Sequence, residues 1–169
     1  MNILETERLA LRKLGLDDVG FILDLLNQPS FIQFIGDRGV RTLEQARAYI
    51  LNGPIASYER FGFGLYAILL KDSGIPIGMC GLIKRAVLQD VDIGFAFLPQ
   101  FWLKGYGFEA AAAVLAYGKS QLGLTRIVGV TQSDNQASIH LLKKLGLRYE
   151  KNVTLVEAGP ELLLFSPAD

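Results

Sequence analysis

Two alternating, apolar-rich stretches, residues 63–71 and 75–85, meet across Asp72-Ser73-Gly74. Turn-forming residues between two β-type runs predict a hairpin, so the middle of the chain is committed to antiparallel pairing. Residues 90–97 alternate as well and predict a third strand. Beyond them the pattern changes. Residues 105–121 are Ala-rich with helical character, enter through two glycines and end near Gly123. Residues 126–131 are β-branched and predict a strand. Ser133-Asp134-Asn135-Gln136 has capping-box spacing and predicts a short helix to about Leu145, before Gly146. Two short apolar runs, 152–156 and 162–165, are expected to pair with each other.

The first third reads differently. Residues 8–12 alternate and predict an opening strand. Asp17 and Asp18 precede an amphipathic helix over 19–26, with acids at its positive end. Pro29 is expected to interrupt it. Thr42-Leu43-Glu44-Gln45 has capping-box spacing and starts a second helix through about Asn52, interrupted by Gly53-Pro54. The order is strand, two helices, antiparallel strands, then helix, strand, helix and strands. That order predicts a mixed α/β fold. With 169 residues, half of them apolar, the chain can bury a sizeable core, and residues 1–169 are expected to form a single domain.

Composition narrows the function classes. Lys+Arg and Asp+Glu cancel at 17 each, so no dominant footprint for nucleic acid exists. One cysteine and one histidine leave no internal disulfide and no metal constellation. The first seven residues are acidic and lack an apolar signal core. No stretch reaches the roughly 18 apolar residues that span a membrane. A cytoplasmic protein without nucleic-acid or membrane partners is expected, as monomer or homodimer.

The strongest local signal is Trp102-Leu103-Lys104-Gly105-Tyr106-Gly107-Phe108-Glu109-Ala110. Glycines at a loop-to-helix entry let the backbone approach a ligand, and the first helical turn leaves amides without internal partners. Amides and helix dipole together suit a phosphate. Three readings meet here. One is a plain turn and helix start. A second is a dinucleotide fingerprint, since Gly105-x-Gly107-x-x-Ala110 fits G-x-G-x-x-G/A; seven residues separate it from the preceding strand, however, and no βαβ series precedes it.

The third reading is a resemblance. The segment from Phe97 to Gly107 resembles the acyl-CoA pyrophosphate loop of the GNAT N-acetyltransferases, Q/R-x-x-G-x-G/A, with Trp102 in the first position. That substitution is typical of the branch resembling ribosomal-protein N-terminal alanine acetyltransferases, which often reads W-x-x-G-Y-x-x-E-A. Thr6-Glu7-Arg8-Leu9-x-Leu11-Arg12 looks like the opening strand of that branch. Asn135-x-x-Ser138 followed by Lys144-Leu145-Gly146 looks like its N-x-x-S…K-L-G segment. The resemblance covers nearly the whole chain. It implies a mostly antiparallel sheet that splays after residues 90–97 around acetyl-CoA, flanked by helices. It implies pantetheine contacts from the backbone of Phe97 and Leu98, and a phosphate cradle from Lys104, Gly105, Tyr106, Gly107 and Phe108. Asn135 would touch the cofactor arm. The reaction implied is acetyl transfer to an amine, with no metal.

Two catalytic candidates accompany this frame. Val91, Ile93, Phe95 and Phe97 share one strand face, suited to a core, and Asp92, Gly94 and Ala96 share the other. Asp92 beside two small residues has room for a substrate and could accept a proton from an amine; the alternative is a salt-bridged strand residue, and a bulge would exchange the faces. Asn135, Ser138 and Leu142 lie at i, i+3 and i+7 on one helix face. Many GNAT enzymes carry a tyrosine general acid where Leu142 stands, which leaves Ser138 to hydrogen-bond the departing thiolate. An α-amine has a pKa near 8 and a lysine near 10.4, so deprotonation at pH 7 costs about 1.4 and nearly 5 kcal/mol respectively. One moderate base therefore suits a peptide N-terminus or another weakly basic amine. A non-catalytic acyl-CoA-binding module is the alternative. His140, mid-helix, reads as structural or exposed, and Cys80 as a small core residue. Phe31, Phe34, Phe61, Phe63 and Tyr66 read as core with some lining an acceptor pocket. Glu109 reads as a helix-dipole partner.

Overall fold

The computed structural model describes residues 1–168. Its strands are β1 (Asn2–Glu5), β2 (Leu9–Lys13), β3 (Leu65–Leu70), β4 (Pro76–Ile83), β5 (Val91–Phe97), β6 (Ile127–Thr131), β7 (Leu147–Val153) and β8 (Leu162–Pro167). They form one sheet in the order β1-β2-β3-β4-β5-β6-β8-β7. Every neighbouring pair is antiparallel except β5 and β6. This is the mixed, mostly antiparallel architecture expected from the sequence. The helices are α1 (Val19–Leu26), α2 (Pro29–Phe34), α3 (Leu43–Ile50), α4 (Ala56–Phe61), α5 (Tyr106–Ser120) and α6 (Gln136–Lys144).

Strand alternation sorts the core into two layers. On one face Tyr66, Ile68, Cys80, Leu82 and Ile93 pack with Ala110, Ala111 and Val114 of α5 and Leu142 of α6. On the other, Ala67 and Met79 pack with Ile22, Leu25 and Leu26 of α1 and Ala46 and Ile50 of α3. The small residues of α5 let it lie close against the sheet, where its first turn ends beside the C-terminal end of β5 (Gly107 lies next to the Phe97 ring).

Five local expectations change. The chain opens with β1, an edge strand missed because it is short and charged; it pairs with β2. Pro29 starts α2 rather than only ending α1, since proline fits the first helical position, where its missing N–H has no intrahelical role. Gly53-Pro54 does not break the second helix: a wide π turn, Leu51–Ile55, carries α3 into α4 and accommodates the ring of Pro54. The α6 cap is Asn135, whose Oδ1 accepts from the Ser138 N–H at 3.2 Å, in place of a Ser133 capping box. The Thr42–Gln45 box forms as expected. The tail strands do pair, but β7 begins at Leu147, and β8 inserts between β6 and β7.

Candidate active site

The parallel pairing of β5 with β6 stops early. Val91, Asp92 and Ile93 face Ile127, Val128 and Gly129, whereas β5 continues to Phe97 along β4. Beyond Ile93 the two strands part. The Leu98 N–H donates to the Ile77 carbonyl at 2.9 Å. By antiparallel alternation the main-chain groups of Ala96 and Gly94 then also face β4, and those of Phe95 and Phe97 face the gap. The Phe97 carbonyl accepts from Trp102 Nε1 at 2.9 Å, so its N–H is the group offered to the opening. Leu98 is different. Its N–H is held by Ile77, its carbonyl accepts from the Phe101 N–H, and its side chain is buried, so of the two expected pantetheine contacts Leu98 presents nothing to the gap.

The glycine turn enters α5 beside this gap. Gly105 caps the helix at φ +84°, a conformation that side chains rarely adopt. The first intrahelical bond runs from the Glu109 N–H to the Gly105 carbonyl, so the Tyr106, Gly107 and Phe108 amides lie ahead of the helical ladder. Phe97, Gly105, Tyr106, Gly107, Phe108, Asn135 and Ser138 all line one cleft of about 720 Å³. Lys104 does not line it; its carbonyl accepts from Arg8 Nη1 on the outer side of the turn. The amides and open strand edge fit the diphosphate and amide-rich arm of coenzyme A, and Lys144 adds a cation at the mouth, 4.5 Å from the Phe108 ring centre.

Glu109 holds this entrance in register. It accepts from Thr6 Oγ1 at 2.5 Å, from the Arg8 N–H at 2.9 Å and from Arg8 Nε at 2.7 Å. Burial would raise its pKa, but these bonds pull it below the ordinary glutamate range. The helix-dipole reading of Glu109 therefore misses its main role, which is to tie the β1–β2 turn to the first turn of α5. The Thr6 and Arg8 positions of the opening motif and the E of W-x-x-G-Y-x-x-E-A are thus two halves of one contact.

A second cavity, about 400 Å³, adjoins the first. Phe31, Phe34, Ile35, Phe95, Ala96, Asn135 and Ser138 line both, which makes them the junction, so Phe31 and Phe34 do reach the cavities. Asp92, Gly94 and Ala96 do share the face away from the α5 core, and Asp92 lines the second cavity. Gly94 contributes less room than expected, because Ile83 Cδ1 lies 2.9 Å from where a Cβ would sit. Asp92 is 2% exposed and its Oδ1 accepts from Arg85 Nε at 2.9 Å. Burial pushes its pKa up, and Arg85 opposes this only in part. Sequence reasoning missed Arg85, Arg38 and Tyr49, which also line this cavity. Of these only Arg85 has a readable signal: it precedes Asp92 across the β4–β5 hairpin.

The remaining residues fall outside the chemistry. Leu142 is buried and packs over Gly129, so its position faces core. His140 is exposed at the cleft rim. Cys80 is fully buried, and burial pushes its thiol well up. Among the described residues no group of three or more His, Cys, Asp or Glu side chains gathers to hold a metal ion. No helix among them is long and apolar enough to cross a membrane.

A strand pair that parts beside a helix N-terminus offers main-chain donors to an extended anionic ligand. Comparison with known proteins is in keeping with it. Residues 8–148 match the model of the acetyltransferase (GNAT) domain. The uncharacterized N-acetyltransferase YoaA of Bacillus subtilis is 32% identical over 149 residues, covering 88% of this chain and 84% of that protein. A GNAT-family acetyltransferase structure from Bacillus anthracis superposes with TM-score 0.79 at 26% identity, covering 98% and 97% of the two chains. The ribosomal L7/L12 alpha-N-protein acetyltransferase RimL, solved with coenzyme A, shares the fold with TM-score 0.83 at 18% identity over 98% and 97%. The chain belongs to the GNAT acetyltransferase family.

Proposed function

We propose that residues 1–169 act as one cytoplasmic N-acetyltransferase domain that moves an acetyl group from acetyl-CoA to a primary amine, a peptide N-terminus or a small amine. The observation that carries this reading is the open edge of β5 beyond Ile93, facing the same cleft as the first turn of α5. Bound acetyl-CoA supplies the acetyl group as a thioester, which the amine attacks directly. The Tyr106, Gly107 and Phe108 amides hold the diphosphate. Hydrogen bonds to a charged group contribute about 1.5–3 kcal/mol each, so several suffice without a basic cluster. The Phe97 N–H polarises the thioester carbonyl, as oxyanion donors do.

Asp92, or a water that it orders, takes the proton from the amine. Its burial raises its basicity, which the Arg85 ion pair opposes only in part. Ser138, at the junction of the two cavities, donates to the departing thiolate. A free thiol has a pKa of about 8.5, so a hydrogen bond is enough help. Leu142, apolar and buried where many relatives have an acid, favours a second reading in which the chain binds acyl-CoA without transfer. Calorimetry with acetyl-CoA, followed by thiol release over an amine panel with mass detection, separates them. The transferase reading predicts binding and acetylated amine; binding without turnover on any amine supports the module, and an absence of binding contradicts both.

A further inference from the structure

The charged side chains that line the 400 Å³ cavity are Arg38, Arg85 and Asp92. They come from three places: the segment after α2, the β4–β5 hairpin and β5 itself. Arg85 gives only Nε to Asp92, so both of its Nη groups have no partner among the described residues. Arg38 has no ion-pair partner among them either, and its side chain is exposed. Tyr49 lines the same cavity. Asp92 is held in direct contact with Arg85, next to the Phe95–Ala96 junction where the acetyl group would arrive.

We infer that this cavity takes an amine that carries a carboxylate on a neighbouring carbon, an α-amino acid, with the carboxylate on Arg85 and Arg38 and the amine on Asp92. The inference rests on the amine-acetylation reading above and narrows its acceptor. A contacting guanidinium and carboxylate mirror an α-amino acid: each charged end meets its opposite on adjacent atoms. Guanidinium forks match carboxylates through paired N–H bonds, and Arg85 keeps its pair free for that purpose. The excess of one positive charge over the three groups suits one carboxylate. A peptide N-terminus, whose neighbouring carbonyl is a neutral amide, leaves both arginines unmatched.

The test is a thiol-release assay on matched sets: an α-amino acid, its amide, and the amine left by decarboxylation. The expected result is a kcat/KM for the acid at least 10-fold above that of the amide and of the bare amine. Arg38→Ala, at an exposed position, and Arg85→Gln each reduce that ratio toward one. Amides and bare amines acetylated as well as the acids overturn the carboxylate site and leave amine acetylation standing. If no amine is acetylated, the transfer reading fails, and calorimetry with CoA plus an N-acetyl amino acid or its amide decides the site by itself. Tighter binding of the acid, weakened in Arg38→Ala, supports it; equal binding overturns it.

Discussion

The two arms of the cleft are built from different materials. The proposed cofactor arm is mostly main chain: the open edge of β5 at Phe95 and Phe97, and the amides that precede the α5 ladder. The proposed acceptor arm is side chain: Arg38, Tyr49, Arg85 and Asp92, drawn from four separate segments. A main-chain site needs glycine and strand geometry but no particular charges, so it can serve a chain of zero net charge. A side-chain site reads its ligand by charge and shape. The difference implies that the donor is fixed by the fold and the acceptor by a few substitutable residues. Variants in the two arms should therefore fail in different ways.

The largest separation is expected at Asp92. Asp92→Asn removes the proton acceptor and should lower kcat by about 100-fold or more, as loss of a general base does, with the Kd for CoA changed less than about twofold. Single-turnover kinetics beside calorimetry reads both; a normal kcat assigns Asp92 to holding Arg85 alone. Next is Gly105→Val. A β-branched residue at φ +84° is strained by about 1–3 kcal/mol, so the Kd for CoA should rise roughly 5- to 150-fold while the preference among amines stays as it was. An altered amine preference would show that the arms are not separate.

A smaller effect is expected at the junction. Ser138→Ala removes one hydrogen bond to the thiolate, for a loss of about 10-fold in kcat, while the Ser138 N–H still binds the Asn135 cap. A thermal melt like that of the parent protein, together with the slower turnover, distinguishes this from damage to α6. The smallest effect concerns the entrance. Glu109→Gln weakens the clamp on Thr6 and Arg8 by about 1–2 kcal/mol, a fall in Tm of roughly 2–8 °C near neutral pH. The folded Glu109 pKa is lowered, so its stabilisation is complete above the unfolded value and disappears as pH falls through the folded one. The Tm gap between parent and variant should therefore close below the usual carboxylate range. A gap independent of pH would point to packing instead of charge.

The contrast between the arms also explains what the sequence reveals. Gly105 and Gly107 stand together before an Ala-rich helix, and a main-chain site of this kind is contiguous and visible as a motif. The alternation from Val91 to Phe97 places Val91 and Ile93 in the α5 core and Asp92 at the cavity, although Ile93 and Phe95 also line that cavity. Asp92 is thus found, but its partner is not, because Arg85 reaches it only through the pairing of β4 with β5. Arg38 and Tyr49 carry no local signal at all; the fold alone brings them to one cavity. Leu98 and Lys104 sit within the right motif yet point elsewhere, since residue spacing does not state which hydrogen bonds a backbone group has already made. Pro29 and Gly53-Pro54 illustrate the same point for helices: a proline marks a discontinuity, and the packing around it decides whether the chain starts, stops or widens there.

The central claim is that the parting of β5 from β6 and the first turn of α5 form one main-chain receptor for coenzyme A. Residue-resolved amide exchange, recorded with and without CoA, tests it most directly. Protection should appear at Phe97 and at Tyr106, Gly107 and Phe108, while the Ala96 and Leu98 amides that face β4 remain unchanged. Saturating CoA that leaves those four amides as exposed as before would contradict the account.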